Sequence, residues 1–194
     1  RSGKSSMGSA GNASYGYFTG GADPLAVSSV DRIDYSNDMA TASPKGPLSG
    51  VREGMASFGN MNYGYFAGGY PSGPYSTVDR IEYANDTATA STKGPLNEAK
   101  RFSEGTASAS GYGYAIGGYP GSVPQTSSIS RVEFANDTAT ALSKGTLSAA
   151  RAYYATVSGQ NGGITLPVAG NLAPVQPPFP VPFVLQNPLP FGYF

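Results

Sequence analysis

Repeated charged residues are the side chains in this sequence best suited to chemistry. They occupy four positions in each of three repeats: an arginine (Arg32, Arg80, Arg131), an acid (Asp34, Glu82, Glu133), an aspartate (Asp38, Asp86, Asp137) and a lysine (Lys45, Lys93, Lys144). A catalytic site is normally asymmetric, so residues that recur in every repeat are better explained as one structural device used three times, such as a strand ion pair or an Asx turn. Calcium binding by the acids is the functional alternative. One carboxylate per turn is a thin supply for it, and no DxDxDG loop is present.

The composition removes most reaction chemistry. Cysteine, histidine and tryptophan are all absent from the 194 residues, which excludes disulfides, thiol nucleophiles, the usual zinc and haem ligands and every histidine-based acid or base. We therefore predict a protein that is not an enzyme and has no cofactor or metal. The formal net charge is zero, which disfavours nucleic acid as a partner. No apolar run reaches the roughly 18 residues of a membrane span.

The chain is organised as a tandem repeat. A strand-and-turn segment at residues 76–90 also occurs at 29–42 and 128–141. A Tyr-Gly-Tyr segment recurs with it, and its first tyrosines lie 48 and 49 residues apart. The sequence divides into the end of a preceding repeat (1–14), three repeats (15–62, 63–111 and 112–157) and a C-terminal arm (158–194). Because it starts inside a repeat and without an initiator Met, we expect a processed or truncated product of a longer chain.

Each repeat predicts four short strands. Aromatic residues favour a pleated, half-buried surface, so Tyr-Gly-Tyr predicts a strand that ends at the following glycine pair. Residues 31–35 alternate between apolar and polar, and the Asn-Asp pair after them supplies side chains that bond nearby backbone and tolerate left-handed angles, which predicts a hairpin with residues 40–43. Gly-Pro marks the next turn, and a further short strand leads to the next repeat. Four strands in about 50 residues are typical of a propeller blade.

The order and spacing of these motifs resemble the kelch repeat of β-propellers. The resemblance rests on Val-Asp-Arg-Ile-Glu at 78–82, Gly-Pro-Leu-Asn-Glu-Ala-Lys-Arg at 94–101 and Tyr-Ala-Ile-Gly-Gly at 114–118, and it covers roughly residues 1–157. It implies an all-β fold of kelch-like blades, each with four antiparallel strands. Alanine replaces the tryptophan of that pattern in every copy (Ala40, Ala88 and Ala139), so packing between blades must differ.

The resemblance also carries expectations about assembly and activity. Ordinary propellers have about 4 to 8 blades, so three repeats imply an incomplete propeller, a ring completed by another subunit, or part of a longer chain. The amino-acid sequence of the repeats is similar to that of kelch-like proteins of tailed phages that infect marine cyanobacteria. This similarity implies a virion structural protein located in the virion or at a cell surface. Galactose-oxidase-type enzymes share the kelch fold, but their copper ligands require His and Cys, which are absent.

The C-terminal arm differs sharply from the repeats. It has no charged residue, and eight of the sixteen prolines lie between Pro167 and Pro190, which excludes helix and central strand and favours an extended chain. Disorder usually accompanies low hydrophobicity and high charge, whereas this arm is apolar, so we expect it to be buried on its own repeats or on a neighbouring subunit. The residues expected to carry assembly are Phe179, Val181, Phe183, Leu185, Phe191, Tyr193 and Phe194.

Two functions follow as hypotheses. The first is a homo-oligomeric structural protein that binds copies of itself, or other virion or surface structural proteins, through the arm. The alternative is a host-recognition module that binds carbohydrate through tyrosines in the loops of variable length at 22–28, 70–76 and 119–127, where Tyr70, Tyr75 and Tyr119 are the candidates. These loops and the arm are the parts of the chain that do not repeat.

Three Asn-x-Ser/Thr triplets occur, at Asn12, Asn85 and Asn136. In a eukaryotic secreted protein such triplets are glycan acceptors. The triplet is not kept through the repeat, because Asn37 stands at the position of Asn85 and lacks it. A role in turns is therefore favoured.

Overall fold

The computed structural model describes residues 3–121, 124–154 and 156, which form three four-stranded antiparallel sheets with the strands of each sheet in chain order. The first sheet contains β1 (Gly8–Gly11), β2 (Tyr15–Thr19), β3 (Val30–Asp34) and β4 (Ser43–Lys45). The second contains β5 (Ala56–Gly59), β6 (Tyr63–Ala67), β7 (Val78–Glu82) and β8 (Ser91–Lys93). The third contains β9 (Glu104–Ser108), β10 (Tyr112–Ile116), β11 (Ser128–Glu133) and β12 (Leu142–Thr146). The prediction of an all-β chain with four antiparallel strands per repeat is confirmed, but the described residues do not form a closed propeller.

The Tyr-Gly-Tyr strands end at the glycine pairs, as predicted. Gly20 and Gly21 have φ angles of 60° and 89°, which only glycine adopts readily. The amide of Gly20 donates to the carbonyl of Ser29, and that of Gly21 donates to the carbonyl of Arg52, each at 2.9 Å. The glycine pair therefore turns the chain out of β2 and ties it to the segment that enters the second sheet.

The predicted hairpin forms with different bounds. β3 pairs with β4, so that Val30 faces Lys45, and the returning strand is Ser43–Lys45 rather than residues 40–43. The reason is a short 3-10 helix at Tyr35–Asn37 that lengthens the connection. The aspartates do not use the left-handed angles that such residues tolerate: Asp38 has φ −71°, and Asp86 and Asp137 have −77° and −74°. Each Asn-Asp pair thus ends a 3-10 turn, which projects the aspartate away from its own sheet.

The sheets begin one strand earlier than the repeats defined from the sequence. β1 lies within residues 1–14 and pairs with β2, so the first sheet includes the segment assigned to a preceding repeat. The same opening recurs at the far end of the array. The carbonyl of Arg151 accepts from Gly118 as that of Arg52 does from Gly21, and Tyr153 has a φ of 55° where Phe102 has 50°. Residues 151–154 therefore repeat the entry into a sheet.

Two apolar cores lie between the sheets. Tyr17, Val30 and Leu48 of the first repeat pack with Ile81 and Tyr83 of the second. In the same way, side chains of the second sheet pack against the third, including Phe58, Tyr65, Val78, Leu96, Ala115, Val132 and Ala141. The middle sheet is therefore covered on both faces.

None of the helices in the described part of the chain is long and apolar enough to cross a membrane.

Candidate functional site

The repeated charged residues join neighbouring sheets. Arg32 in β3 donates to Oδ2 of Asp86 at 2.7 Å, and the Tyr17 hydroxyl in β2 donates to the same oxygen at 2.9 Å. Lys45 places its Nζ 3.3 Å from Oδ1 of Asp86. Because Asp86 follows the 3-10 helix Tyr83–Asn85 of the second sheet, three donors of one sheet hold one carboxylate of the next. We call this four-residue group an inter-sheet clamp.

A second clamp of the same composition joins the second and third sheets. The Tyr65 hydroxyl and Arg80 donate to Oδ2 of Asp137 at 2.9 and 2.8 Å. Nζ of Lys93 lies 3.6 Å from Oδ1 of the same residue. The repeated arginine, aspartate and lysine therefore form one structural device, although it acts between repeats rather than within a strand.

Backbone contacts explain why Lys-Gly-Pro and the Asn-Asp turn belong together. The amide of Gly46 donates to the carbonyl of Asp86, and the amide of Ala90 donates to the carbonyl of Pro47, both at 2.8 Å. A Cβ on Gly46 would lie 2.0 Å from the carbonyl oxygen of Ala88. Only glycine permits this approach, so the sequence around each lysine is shaped to receive the turn of the next repeat.

The clamps are electrostatically self-contained. The Asp86 side chain is 8% exposed, and those of Arg32 and Lys45 are 22% and 13% exposed. Charges that leave water need partners of opposite sign, and each clamp meets that need with hydrogen bonds. The Arg32 guanidinium also stands over the Tyr15 ring, 4.2 Å from its centroid, which fixes the direction of its donors.

The tyrosine hydroxyls of the clamps remain protonated donors. Burial raises the pKa of Tyr17, and the hydrogen bond to the Asp86 carboxylate raises it further. The pKa of Tyr65 is raised by the same two causes, with Asp137 as the carboxylate. These hydroxyls can stabilise a neighbouring carboxylate, but they are poor candidates for bases or nucleophiles near neutral pH.

Each end of the array of three sheets carries half of a clamp, which we call a half-clamp. The donor half-clamp lies in the third repeat, and the acceptor half-clamp lies in the first. Arg131 lies 4.2 Å over the Tyr112 ring, as Arg32 does over Tyr15, yet among the described residues neither Arg131 nor Lys144 forms an ion pair with a carboxylate. At the opposite end Asp38 is exposed, and no described cation pairs with it. Within the described part of the chain, the donors Arg131 and Lys144 of the third repeat thus lack an acceptor, and the acceptor Asp38 of the first repeat lacks a donor.

A second set of ion pairs fixes the entry to the first and second sheets. Arg52 donates to Oδ2 of Asp79 at 2.5 Å, and their side chains are 2% and 0% exposed. At the first sheet, Nζ of Lys4 lies 3.0 Å from Oδ2 of Asp31. In the third sheet Ser130 replaces the aspartate, and Lys100 donates to the hydroxyl of Ser128 at 2.9 Å instead.

The remaining repeated acid and the asparagines have local roles or none. Asp34 accepts from the amide and the hydroxyl of Ser36 at 2.9 and 2.6 Å, and the hydroxyl bond in particular lowers the pKa of its carboxyl. Glu82 and Glu133 are exposed and do not cap the helices that follow them. Asn12 accepts from the amides of Ser14 and Tyr15, which closes the turn between β1 and β2.

The geometry does not favour the calcium alternative. The carboxylates of Asp86 and Asp137 are already neutralised by arginine and lysine. Among residues 3–121, 124–154 and 156, no group of three or more His, Cys, Asp or Glu side chains is placed to hold a metal ion.

The candidate glycan tyrosines are only partly brought together. The guanidinium carbon of Arg101 lies 4.5 Å from the ring centroid of Tyr70 and 5.9 Å from that of Tyr119, so the two rings share one guanidinium. Tyr153, 66% exposed, extends this aromatic group by an edge contact with Tyr119 at 5.9 Å. Tyr75 instead bridges to the backbone of Lys100. The proposed assembly residues of the arm lie outside the described residues.

A cavity of about 510 Å³ lies where the first strands of the three sheets approach one another. Its lining is mostly neutral, with Gly11, Ser57, Phe58 and Thr106 among the lining residues and Glu104 as the charged residue. Burial raises the pKa of Glu104. Because no Lys or Arg is among its described lining residues, the cavity offers no cationic side chain to an anionic ligand.

The tyrosines of the clamps were missed by sequence reasoning. The Tyr-Gly-Tyr pattern predicts only a half-buried strand for Tyr17 and Tyr65, although these tyrosines recur in phase with the arginine and the lysine. That common period was the signal available. The direction of the bonds was not available, because a repeated sequence does not say which copy a side chain meets.

No protein-family model matches this chain, and a search of curated proteins finds no relative.

Proposed function

We propose that this protein is a non-enzymatic structural protein whose tandem sheets serve assembly. The observation that carries this proposal is the use of its charged residues, because the ion pairs that they form hold neighbouring sheets together. These residues are Arg32, Lys45 and Asp86 in one clamp and Arg80, Lys93 and Asp137 in the other. Side chains fixed in that way are unavailable for proton transfer or nucleophilic attack.

The proposal extends to architecture and location. The sheets are blades of a kelch-type propeller, which is supported by four antiparallel strands in chain order and by first strands that meet around a common cavity. The protein is a component of a phage virion, such as a fibre, tail or capsid-associated protein, or of a surface filament. The resemblance of the repeats to phage kelch-like proteins supports this location.

The apolar arm, residues 158–194, is proposed to join subunits. Its support is compositional, since a segment without charge that is rich in Phe, Leu, Val and Pro gains by leaving water. Deleting residues 167–194 should convert the native oligomer into smaller species in light scattering. An oligomer of unchanged mass would remove the arm from the proposal.

Carbohydrate binding is the second candidate function. The observation that favours it is the aromatic group around Arg101, because Tyr70, Tyr119 and exposed Tyr153 present ring faces and hydroxyls in one place. Aromatic faces with polar edges suit stacking against sugar rings. A glycan array should show binding that Tyr70→Ala and Tyr119→Ala each weaken. An array without signal, or variants that bind like the parent, would reject this candidate.

A further inference from the structure

We propose that a second copy of this chain docks on the third sheet and places its Asp38 against Tyr114, Arg131 and Lys144, so that the two half-clamps of the array form a third inter-sheet clamp. This inference deepens the proposed assembly role and rests on it. It names the surface and the partner, which are the two ends of the same chain.

The donor half-clamp stands in the arrangement that binds aspartate elsewhere. Tyr114, Arg131 and Lys144 occupy the repeat positions of Tyr65, Arg80 and Lys93. Arg131 is held over an aromatic ring at the same 4.2 Å as the two arginines that are paired. It therefore needs no rearrangement to receive a carboxylate.

The acceptor half-clamp is equally preformed. The turn that carries Asp38 has the 3-10 helix and the amide-to-carbonyl bond of its counterparts: Ala40 donates to Asn37 at 3.1 Å, where Ala139 donates to Asn136 at 3.2 Å. The φ angle of Asp38 is −71°, against −74° for Asp137. A turn that keeps this shape without a partner loses little conformational entropy when one binds.

The backbone surfaces also match. A Cβ on Gly46 or Gly94 would lie 2.0 Å from a carbonyl oxygen of the next turn, whereas Gly145 has nothing within 4 Å of that position. We call the space beside Gly46 and Gly94 that the turn of the next repeat occupies a slot. The equivalent slot beside Gly145 is open. The carbonyl of Thr146 is at the position from which Pro47 and Pro95 accept the amides of Ala90 and Ala141, and the amide of Ala42 would donate to it.

Apolar surface is available on both sides of the proposed contact. Tyr35 is 53% exposed, while its counterpart Tyr83 is 8% exposed beneath the first sheet. Met39 on the acceptor turn is 93% exposed. Leu147 on the donor side is only partly buried, where Leu48 and Leu96 are buried. Contact would thus bury hydrophobic side chains around the new ion pairs.

The contact is head-to-tail, because the two ends of the chain carry different halves of the clamp. Such heterologous contacts close into rings when the rotation permits and otherwise propagate. Two copies supply six sheets, within the roughly 4 to 8 of closed propellers. We therefore expect a two-copy ring of twice the 19.9 kDa chain mass.

Two variants each disable one of the two half-clamps, so a mixture of them still contains one intact copy of each half-clamp. Asp38→Lys reverses the charge of an exposed acceptor, and Gly145→Val fills the open slot in a strand position where valine is favourable. Glu82→Lys is the matched control, since it makes the same charge change at an exposed site on the middle sheet. Native mass and sedimentation are measured for the full-length chain and for each variant, with circular dichroism to verify folding.

The full-length chain and Glu82→Lys should self-associate, and Asp38→Lys and Gly145→Val should each do so at least about tenfold more weakly, as expected for a lost buried charge pair or a blocked contact. An equimolar mixture of the two defective variants should recover a two-chain species, because one intact half-clamp remains on each. Variants that associate like the control would overturn the inference, and so would a mixture without recovery. If deleting residues 167–194 disperses the oligomer while Asp38→Lys does not, the assembly role stands and this interface falls. A full-length chain that stays monomeric at every concentration would overturn both.

Discussion

Arg80 and Asp137 lie 57 positions apart in the chain, belong to different sheets and share an ion pair of 2.8 Å. Arg32 and Asp86 repeat that relationship one sheet earlier, at 2.7 Å. Because the arginine of each repeat meets the aspartate of the next, the ion pairs have a direction along the chain. An array built in this way ends in two halves that complement each other.

Tyr17 and Tyr83 stack with their ring centroids 4.8 Å apart, but only the Tyr17 hydroxyl has a described hydrogen-bond partner. Removing each hydroxyl should therefore change the free energy of unfolding differently. Tyr17→Phe should lower the free energy of unfolding by about 1.5 to 3 kcal/mol, because its hydroxyl donates to a charged carboxylate. Tyr83→Phe should be neutral or stabilising, since the Tyr83 hydroxyl is buried without a partner among the described atoms and Phe134 already stands at this position in the third repeat. Urea denaturation of both variants tests the contrast, and equal losses would contradict it.

Glycine-to-alanine changes should separate occupied slots from the open one. Gly46→Ala should cost at least about 2 kcal/mol of unfolding free energy, because its methyl group would collide with the Ala88 carbonyl and overpacking is destabilising. Gly94→Ala should cost a similar amount against Ala139. Gly145→Ala is the control and should leave the stability of dilute protein within about 0.5 kcal/mol of the parent. If the three thermal midpoints fall together, the slots are not what holds the turns.

Stability should fall steeply at alkaline pH. Burial, first of all, raises the pKa of Tyr17, Tyr65 and Tyr83 above the ordinary value of 10.0, and raises that of Tyr154 to about 12. Above pH 10 the unfolded chain releases these protons while the folded chain keeps them, so the folded state binds more protons and loses stability as the pH rises.

Lys100 acts in the opposite sense over a lower window. Burial lowers the pKa of Lys100, so its contribution to stability rises with pH until the unfolded chain deprotonates near 10.5. The unfolding free energy measured in urea should therefore decline between about pH 10.5 and 11.5, and Tyr83→Phe should make that decline shallower. A flat profile across this interval would show that the tyrosines titrate alike in both states.

The sequence predicts local structure better than it predicts partners. The strand at Tyr15–Thr19 follows from aromatic residues and a glycine pair, since both preferences act within a few residues. The partner of Asp86 does not follow in this way. The sequence suggests that the Asp86 side chain bonds the backbone of its own turn. In the structure a 3-10 helix lengthens the connection, and the Asp86 carboxylate accepts from Tyr17 and Arg32 instead. Near-identical repeats hide which copy is the neighbour, and only the stacking of sheets decides it.

A pair of double-mutant cycles tests most directly whether the clamps join different repeats. One cycle combines Arg32→Ala with Asp86→Ala, and the other combines Arg32→Ala with Asp38→Ala, the aspartate of the same repeat; both use dilute protein and urea denaturation. The structure predicts a coupling of about 1 to 3 kcal/mol between Arg32 and Asp86 and less than about 0.3 kcal/mol between Arg32 and Asp38. Coupling to Asp38, with none to Asp86, would contradict the arrangement of the sheets.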